Sequence, residues 1–347
     1  MVAFPAALPL VSVVVPVFNA APYVAEALAS ITTQEYGGPL EIIVLDDAST
    51  DGSGGVAEAL GDVRIRVVRS EDNQGIVRQL NRGFGLARGK YIVRMDADDV
   101  ALPGRIAKQV AFMESHPQVA ACGTWMEVFG RQNFVWKAPT AHDDLQLLAL
   151  KNSPLAHPTV ILRKEVLDAH GLGYKQEFIY VEDYELWNRL GEVAELATLP
   201  EVLLRYRMHP AQTGATKAAV QQQAADRIRA VQLRQLGFGL SPADEQRFGW
   251  LMDSQRAVPV AEYAAIRQLI VRLYAHNAAH PMLHPDKFGR LLADSWAQMA
   301  GNVREFAPQL LRVLLRQGPA PLTNVRYPLA TTARLAIKSM LSWKTRV

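Results

Sequence analysis

Three groups of acidic residues carry the clearest chemical signal in this sequence. They are Asp46, Asp47 and Asp51, then Asp96, Asp98 and Asp99, then Glu182, Asp183 and Glu185. The first two groups directly follow the apolar runs 40–45 and 91–95, which are typical of buried strands. Crowded carboxylates repel one another unless a cation or a donor-rich ligand compensates them, and hard oxygen ligands suit Mg²⁺ or Mn²⁺. The groups therefore predict a divalent-metal site for a phosphorylated ligand; the alternative is that these residues are turn formers and helix caps.

The elements that must position these groups alternate between strand and helix from residue 10 to about 120. Strands are predicted at 10–17, 40–45, 64–68 and 91–95, and helices from Pro22, up to Leu60 and over 76–87. This alternation indicates an α/β fold with a mostly parallel sheet and helices on both faces. Because ligands bind outside the carboxyl ends of parallel strands, the first two acidic groups should face one crevice.

The pattern changes twice further along the chain. A hairpin at 119–129 and 134–137, strands at 159–163 and 202–208, and a helix at 181–193 predict a smaller antiparallel portion that completes the sheet. After residue 210 the composition favours helices, beginning with an Ala-, Gln- and Arg-rich stretch. We therefore predict two domains, a catalytic α/β domain over 1–210 and a helical region over 211–347.

Composition restricts the possible partners and compartments. The chain has 347 residues, 49% hydrophobic and 20% charged, which fits a globular protein with a sizeable core. The net charge of only +3 implies no strong bulk attraction to nucleic acid, so we predict no nucleic-acid partner. The lone cysteine, Cys122, excludes an intrachain disulfide and a cysteine zinc site, and it is compatible with a reducing cytoplasm.

Both termini raise the question of membrane contact. The apolar stretch up to Phe18 has no basic residue and three prolines, so we interpret it as a short tail and a first strand rather than a signal peptide. No run approaches the roughly 18–20 apolar residues that a membrane-spanning helix needs. Residues 326–347 carry five basic residues and no acidic one. This tail fits peripheral binding to an anionic membrane surface or packing on a protein, and both interpretations stay open.

Three segments together resemble the family 2 glycosyltransferases. They are Ser-Val-Val-Val-Pro-Val-Phe-Asn at 12–19, Val-Leu-Asp-Asp-Ala-Ser-Thr-Asp-Gly-Ser at 44–53 and Met-Asp-Ala-Asp-Asp at 95–99. Any one segment is a weak signal, but their order and spacing are specific, and the resemblance covers roughly residues 10 to 210. It implies a GT-A-type fold with a mixed, Rossmann-like sheet. It also implies metal-dependent transfer, with inversion, of a sugar from a nucleoside-diphosphate donor to a hydroxyl group.

The resemblance implies a set of residues for the donor and its Mn²⁺ or Mg²⁺ ion. This nucleotide-sugar set is Pro16, Phe18, Asn19, Asp47, Arg78, Asp96, Ala97 and Asp98. Phe18 stands where many family members have Tyr, so a hydroxyl is lost there. Asp47 is expected to read the base, because a carboxylate accepts the imide N–H of uracil, which favours a UDP-sugar. Asp98 is the expected metal ligand, and Asp96 is expected to meet the ribose or a metal-bound water.

The acceptor side is implied by the segment Glu-Asp-Tyr-Glu-Leu-Trp at 182–187, which resembles the family's ED motif. Asp183 is the expected general base and Glu182 the runner-up, although acidic residues in a first helical turn are also favoured by the helix dipole alone. Trp187 either stacks on a sugar or belongs to the core. Arg207 and His209 are candidates for contact with the metal–diphosphate end.

The implied setting is single sugar transfer to a saccharide or lipid-linked acceptor, in surface polysaccharide or glycolipid assembly. We expect a cytoplasmic protein, with peripheral contact at the inner face of the membrane as an added option. Two other readings remain open. One is nucleotidyl transfer to a sugar phosphate, which would need a Gly-rich basic loop where 19–22 reads Asn-Ala-Ala-Pro. The other is a non-catalytic carbohydrate-binding protein, against which the retained acidic residues argue.

Overall fold

One mixed sheet of nine strands forms over the residues that the computed structural model describes, namely 7–209, 218–253, 256, 258–259 and 261–301. The strands are β1 (Val11–Val17), β2 (Leu40–Asp46), β3 (Ile65–Arg69), β4 (Tyr91–Arg94), β5 (Val100–Ala101), β6 (Val119–Gly130), β7 (Phe134–Trp136), β8 (Ile161–Arg163) and β9 (Glu195–Met208). Their order is β3-β2-β1-β4-β8-β6-β9-β5, and β7 pairs with the end of β6. Strands β1 to β4 are parallel, and β8 is antiparallel to both β4 and β6. The predicted α/β class with a parallel part and an antiparallel part is confirmed.

Eleven α-helices flank this sheet or follow it in the described residues. They are α1 (Val24–Thr32), α2 (Ser53–Ala59), α3 (Ile76–Leu86), α4 (Arg105–Ser115), α5 (His142–Ala149), α6 (Lys164–Ala169), α7 (Glu182–Val193), α8 (Ala218–Gln235), α9 (Pro242–Met252), α10 (Glu262–Ala279) and α11 (Pro285–Gly301). Helices α1, α2 and α4 pack on one face of the sheet. Helices α3, α5, α6 and α7 pack on the other face, so the sheet lies between two helical layers.

Strand β1 shows why the centre of the sheet is fixed. All seven of its residues are buried, including five valines that are each at most 1% exposed, because both faces are covered by helices. Each such valine contributes about 1.5–3 kcal/mol by leaving water. Strand β1 pairs with β2 on one side and with β4 on the other, both in parallel. Their carboxyl ends, where the first two acidic groups begin, are therefore held in register by the best-buried part of the molecule.

Strand β9 is longer than the predicted strand at 202–208. It spans Glu195–Met208, and it pairs in parallel with β6 over most of its length. Its first half carries a proline and several small or polar residues, which is why the local pattern did not indicate a strand. The pairing with β6 has register shifts between Thr124 and Met126, and these irregularities accommodate the interrupted pattern. The predicted β6–β7 hairpin is present, with Met126 opposite Trp136.

Two compact units make up the described chain, divided after Ala224. The second unit is helical, and its core contains Phe248, Ile266, Phe288 and Trp296, each at most 2% exposed. The predicted domain boundary at residue 210 stays a prediction. No helix among the described residues combines the length and the apolar character needed to cross a membrane. The basic tail 326–347 lies outside the described residues.

Candidate active site

The loops after β1 and β2 are joined by hydrogen bonds that shape the first part of the site. Asn19 has a positive φ of 50°, and its backbone N–H donates to Ser49 Oγ (3.0 Å) while its Oδ1 accepts from Thr50 N (2.9 Å). Asp51 accepts from the Ala21 N–H at 2.9 Å and from Ser53 N at 3.0 Å. Asp51 therefore cross-links the two loops rather than acting only as a local cap. The side chain of Asn19 is engaged within this link.

Asp47 holds the turn that leads into α3. The N–H groups of Gln74 and Gly75 donate to its two carboxylate oxygens at 2.8 and 2.9 Å, and Gln79 Nε2 donates to Oδ1 at 2.5 Å. The carboxylate is buried, with 5% of the residue exposed. A carboxylate has about four acceptor directions, so one direction at Oδ2 remains for a further donor. Asp47 is thus a structural anchor whose remaining acceptor capacity is small and directional.

The other expected donor-side residues differ in accessibility. Phe18 is 52% exposed, so its ring is not part of the core. Arg78 is also exposed, and it has no ion-pair partner among the described residues. Pro16 and Ala97, by contrast, are buried. The structure therefore leaves Phe18 and Arg78 accessible to a ligand, whereas Pro16 and Ala97 shape the backbone at the ends of β1 and β4.

A compact carboxylate cluster lies directly after β4. Asp96, Asp98 and Asp99 each offer one oxygen within 4.8 Å of the others. Burial and the charge of Asp96 raise the pKa of Asp98, and burial together with Asp96 and Asp98 raises the pKa of Asp99 well above its ordinary value. Asp99 Oδ2 is buried and has no hydrogen-bond partner among the described residues. Clustered, partly desolvated carboxylate oxygens with an unsatisfied acceptor are the donor set that fits a divalent cation such as Mn²⁺ or Mg²⁺.

Strand β9 supports this cluster from the side. His209 Nε2 lies 3.0 Å from Asp98 Oδ2, and the Arg207 Nε–H donates to the Asp98 carbonyl at 2.8 Å. The Arg207 backbone N–H donates to Asp99 Oδ1 at 3.0 Å. The alternative that these residues are helix caps does not hold for Asp99, because α4 begins after Gly104 without a side-chain cap and Asp99 binds β9 instead. Arg207 and His209 are both next to the metal-binding candidates, as expected for that end of the site.

The third acidic group begins α7. Asp183 is partly buried, and Ser153 Oγ donates to its Oδ2 at 3.1 Å. Burial raises the pKa of Asp183, and burial together with the Asp183 charge raises the pKa of Glu182 to about 7. Glu185, in contrast, is held by ion pairs with Arg189 at 2.6 Å and Lys175 at 2.8 Å. Asp183 and Glu182 are therefore the members of this group that have the perturbed pKa values typical of functional carboxylates.

Trp187 is core rather than surface. Its side chain is completely buried and meets His157 edge-on, with ring centroids 6.0 Å apart. The structure therefore does not support the expectation that Trp187 contacts the acceptor, because the face of α7 that carries Trp187 packs on the sheet. His157 Nε2 lies 2.8 Å from Tyr174 Oη, and burial with the nearby Arg94 charge lowers the pKa of His157 well below its ordinary value. His157 is thus a hydrogen-bonded neutral histidine beneath the site.

The buried Arg94 guanidinium interacts electrostatically with both the second and the third acidic group. The Arg94 charge acts on Asp99, Glu182 and Asp183, and its guanidinium pairs with Asp96. Asp47 is positioned two strands from Asp96, because β1 lies between β2 and β4; at about 4.8 Å per strand this separates the strand ends by about 10 Å. The acidic residues are therefore gathered at one end of the sheet.

Several residues of this site were not found by reading the sequence. Three of them hydrogen-bond to expected site residues: Arg94 to Asp96, Ser153 to Asp183 and Gln79 to Asp47. The fourth is Tyr174, which hydrogen-bonds to His157 and is affected by the charges of Asp96, Glu182 and Asp183. Arg94 had a recognisable signal, since it is a charged residue in the otherwise apolar run Tyr-Ile-Val-Arg-Met. The other three have no local pattern that separates them from ordinary polar residues.

Comparison with known proteins identifies the family. The family model described as Glycosyl transferase family 2 matches residues 12–171. An uncharacterized glycosyltransferase of Haemophilus influenzae is 35% identical over 64% of this chain and 72% of its own length. The amylovoran biosynthesis glycosyltransferase AmsE of Erwinia amylovora is 34% identical over 44% of this chain and 61% of its own length.

Solved structures show the same fold. The chain resembles TarS 1–349 of S. aureus, solved in complex with UDP-GlcNAc, with a TM-score of 0.56, 19% identity and coverage of 85% of this chain and 89% of that one. It also resembles the mannosyltransferase PcManGT from Pyrobaculum calidifontis, solved with GDP-Man and Mn²⁺, with a TM-score of 0.50, 20% identity and coverage of 96% and 88%. At these identities the likeness shows the fold, which is of the GT-A type. Together with the sequence matches it establishes that this chain is an enzyme of glycosyltransferase family 2.

Proposed function

We propose that this glycosyltransferase is metal-dependent and inverting, and that it moves one sugar from a UDP-sugar to a hydroxyl of a saccharide or lipid-linked acceptor. The observation that carries the proposal is the arrangement around Arg94. A carboxylate cluster suited to a cation after β4 contacts the buried Arg94 guanidinium, and the charge of the same guanidinium acts on two carboxylates with raised pKa values at the start of α7. Such a pair of sites suits a reaction that stabilises a leaving diphosphate at one place and removes a proton at the other.

The donor nucleotide is assigned from Asp47 and Phe18. Asp47 keeps one acceptor direction beside the loop that carries the exposed Phe18 ring. A uracil base offers an imide N–H to such an acceptor and a face to such a ring. The related structures were solved with UDP-GlcNAc and with GDP-Man, so they are compatible with either nucleotide. Exposed Arg78, on the helix after the Asp47-bound turn, is the proposed partner for a donor phosphate.

The cation is assigned to the cluster after β4, with Asp98 as the direct ligand. Asp96 has both oxygens engaged by Arg94, whereas the Asp98 carboxylate faces His209 across 3.0 Å. When bound there, Mn²⁺ or Mg²⁺ would act as a Lewis acid that stabilises negative charge on the departing diphosphate. Arg207 would hold the Asp98 backbone in place through its 2.8 Å hydrogen bond to the carbonyl.

Asp183 is the proposed general base. The acceptor hydroxyl oxygen forms a bond to C1 of the sugar as the C1–O bond to the diphosphate breaks, and the electron pair of that bond leaves on the diphosphate. The hydroxyl proton goes to Asp183, whose raised pKa makes it a better base than an ordinary aspartate. Ser153 orients the receiving carboxylate through its 3.1 Å hydrogen bond to Oδ2. A single displacement from the face opposite the leaving group inverts the configuration at C1.

The setting is inferred from the named relatives. AmsE is a glycosyltransferase of amylovoran biosynthesis. We propose that this chain likewise works in the assembly of a surface polysaccharide or glycolipid, in the cytoplasm and at the inner face of the membrane. Residues 211–347 would then form a helical region that adds acceptor or membrane contacts to the catalytic domain.

Donor hydrolysis tests the proposal. Purified protein is incubated with UDP-sugars and GDP-mannose, with Mn²⁺, with Mg²⁺ or with a chelator, and nucleoside diphosphate release is measured. We expect UDP release that requires the metal and falls at least about 100-fold in Asp98→Asn, because the cation loses its direct ligand. Asp168→Asn is the matched control, since Asp168 is an exposed aspartate in α6 whose 2.6 Å ion pair with Lys164 is remote from the cluster. Metal-independent release, or pyrophosphate formation from UTP and a sugar phosphate instead, would contradict the proposal.

A further inference from the structure

Arg94 is a buried arginine at the last position of β4, and its binding partner is a member of the carboxylate cluster. It is 3% exposed. Its two terminal nitrogens donate to Asp96, NH1 to Oδ2 at 2.6 Å and NH2 to Oδ1 at 2.5 Å. This is the parallel two-bond geometry that fixes both the position and the orientation of a carboxylate. Both oxygens of Asp96 therefore accept a hydrogen bond from Arg94, and each keeps one further acceptor direction within the cluster.

The rest of the guanidinium has no competing attachment. Arg94 Nε is buried without a hydrogen-bond partner in the described part of the chain. The backbone beneath it is held independently, because Arg105 NH2 donates to the Arg94 carbonyl at 3.1 Å. Over the described part of the chain, the Arg94 side chain therefore donates hydrogen bonds to Asp96 alone, while Arg105 holds its backbone carbonyl.

The positive charge of Arg94 also affects the two carboxylates proposed for the acceptor side. Arg94 lowers the pKa values of Glu182 and Asp183 against the rise that burial causes. Asp183 is faced by Arg94 from β4, by Tyr174 from the segment before α7, by Ser153 from the loop after α5, and by Glu182 on its own helix. Among these neighbours Arg94 is the one cation. It therefore stabilises the charged form of the proposed base.

We propose that Arg94 is a positioning residue of the transfer site, which fixes the orientation of Asp96 through the two-bond pair and whose buried positive charge opposes cation binding at the carboxylate cluster. The inference rests on the proposed function, because it assigns a role within the same site. It predicts that loss of the Arg94 side chain increases the affinity of the site for Mn²⁺. Removing a positive charge beside three carboxylates strengthens their attraction for Mn²⁺, whereas damage to the structure of a metal site weakens binding.

The test compares Arg94→Gln with the wild type in three measurements on the full chain. Mn²⁺ affinity without nucleotide is measured by calorimetry at pH 8, UDP-sugar hydrolysis is measured from pH 5 to 9, and folding is checked by thermal unfolding. We expect Mn²⁺ to bind at least about threefold more tightly, because one opposing charge is gone. We also expect the hydrolysis rate to fall at least about tenfold and its acidic limb to move to higher pH, because Asp183 loses its neighbouring cation. Equal or weaker Mn²⁺ binding with an unmoved acidic limb would overturn the proposal.

A charged variant covers the case in which Arg94→Gln does not fold. Arg94→Lys keeps the positive charge but cannot form the two-bond pair with Asp96. We expect its Mn²⁺ affinity and acidic limb to match the wild type within about twofold, while its hydrolysis rate falls at least about fivefold because Asp96 is no longer held. A wild-type rate in Arg94→Lys would overturn the positioning role.

Arg163 supplies the matched control. It is 4% exposed on β8, the strand antiparallel to β4, and its guanidinium donates to the carbonyls of Val119, Met113 and His116 rather than to a carboxylate of the site. Arg163→Gln should lower thermal stability and leave Mn²⁺ affinity and the acidic limb unchanged; a change like that of Arg94→Gln would overturn the inference. If the wild type hydrolyses no UDP-sugar, the proposed function fails, while the Mn²⁺ comparison still decides whether Arg94 opposes cation binding.

Discussion

His209 Nε2 lies 3.0 Å from Asp98 Oδ2, although the two residues are 111 positions apart in the chain. Strand β9 carries His209 to the end of β4, and the His209 ring stacks on Tyr23 with ring centroids 5.1 Å apart. The imidazole is thus oriented by an aromatic neighbour while one nitrogen faces the carboxylate that we assign to the cation. This geometry suits either a second metal ligand or a residue that orients Asp98.

His209→Ala should therefore weaken cation binding. We expect Mn²⁺ affinity to fall about 10- to 100-fold, the usual cost of losing a ligand or its supporting partner, and UDP release to fall with it at low Mn²⁺. Calorimetric titration of Mn²⁺ measures the first effect, and raising Mn²⁺ in the hydrolysis assay measures whether saturation restores the rate. His116→Ala is the control, since His116 lies at the end of α4 and stacks on Phe112 at 4.1 Å. Unchanged Mn²⁺ affinity in His209→Ala would remove His209 from the cation site.

Asp183→Asn should separate donor binding from proton removal. An amide cannot accept the acceptor proton, so we expect kcat for transfer to fall about 10²- to 10⁴-fold, the usual contribution of a general base. The affinity for UDP with Mn²⁺ should stay within about twofold of wild type, because the nucleotide and the cation are assigned to other residues. Glu177→Gln, an exposed acidic residue in the segment before α7, serves as the control. A variant that loses UDP affinity but retains kcat would contradict the assignment of Asp183 as base.

How much of the fold and of the candidate site the sequence predicts depends on how far apart in the chain the contacting residues lie. Asp47 and Asp96 follow continuous apolar runs, and local pattern is enough to place them at the ends of buried strands. The ring of Trp187 points inward because α7 packs on the sheet, and no local pattern distinguishes that face from an acceptor-facing one. The hydrogen bond from the Arg207 backbone to Asp99 joins residues 108 positions apart, so the sequence around Asp99 gives no sign of this contact.

The buried carboxylate of Glu182 gives a prediction about stability. Its pKa is raised from 4.5 to about 7 in the folded chain, so the folded state binds more protons than the unfolded state between these values. Stability against unfolding therefore falls as pH rises from about 4.5 to about 7, by up to about 3 kcal/mol at 1.36 kcal/mol per pKa unit. Glu182→Gln, which cannot ionise, should be more stable than the wild type at pH 8 and similar to it at pH 5.

Chemical unfolding at the two pH values measures this difference. The pH dependence of stability should be opposite to that of activity. As pH rises, the transfer rate should increase because Asp183 loses its proton, while stability against unfolding falls. Glu177→Gln controls for the loss of an exposed carboxylate, and it should show no pH-dependent gain. If Glu182→Gln is no more stable than the wild type at pH 8, then Glu182 is not a neutral buried acid in the folded state, and its place beside the proposed base must be reconsidered.

Asp47→Asn tests whether Asp47 recognises the uracil base of the donor nucleotide. An amide keeps one acceptor oxygen but sets an NH₂ group where the carboxylate accepts from Gln74, Gly75 or Gln79, so the turn before α3 loosens. The loss of a charged acceptor costs about 1.5–3 kcal/mol for a bond to uracil, which corresponds to roughly 10- to 150-fold in UDP affinity. GDP, whose guanine presents a different pattern of donors and acceptors, should lose less.

Gln79→Ala separates this recognition from the turn itself. Gln79 supports the same carboxylate through its 2.5 Å hydrogen bond, and its removal loosens the site while leaving the negative charge of Asp47 in place. Calorimetric Kd values for UDP and GDP, each with Mn²⁺, should therefore rise together in Gln79→Ala, whereas in Asp47→Asn the preference for UDP over GDP should shrink. An equal loss for both nucleotides in Asp47→Asn would mean that Asp47 only anchors the loop, and that discrimination between bases must come from elsewhere along the rim that carries Phe18.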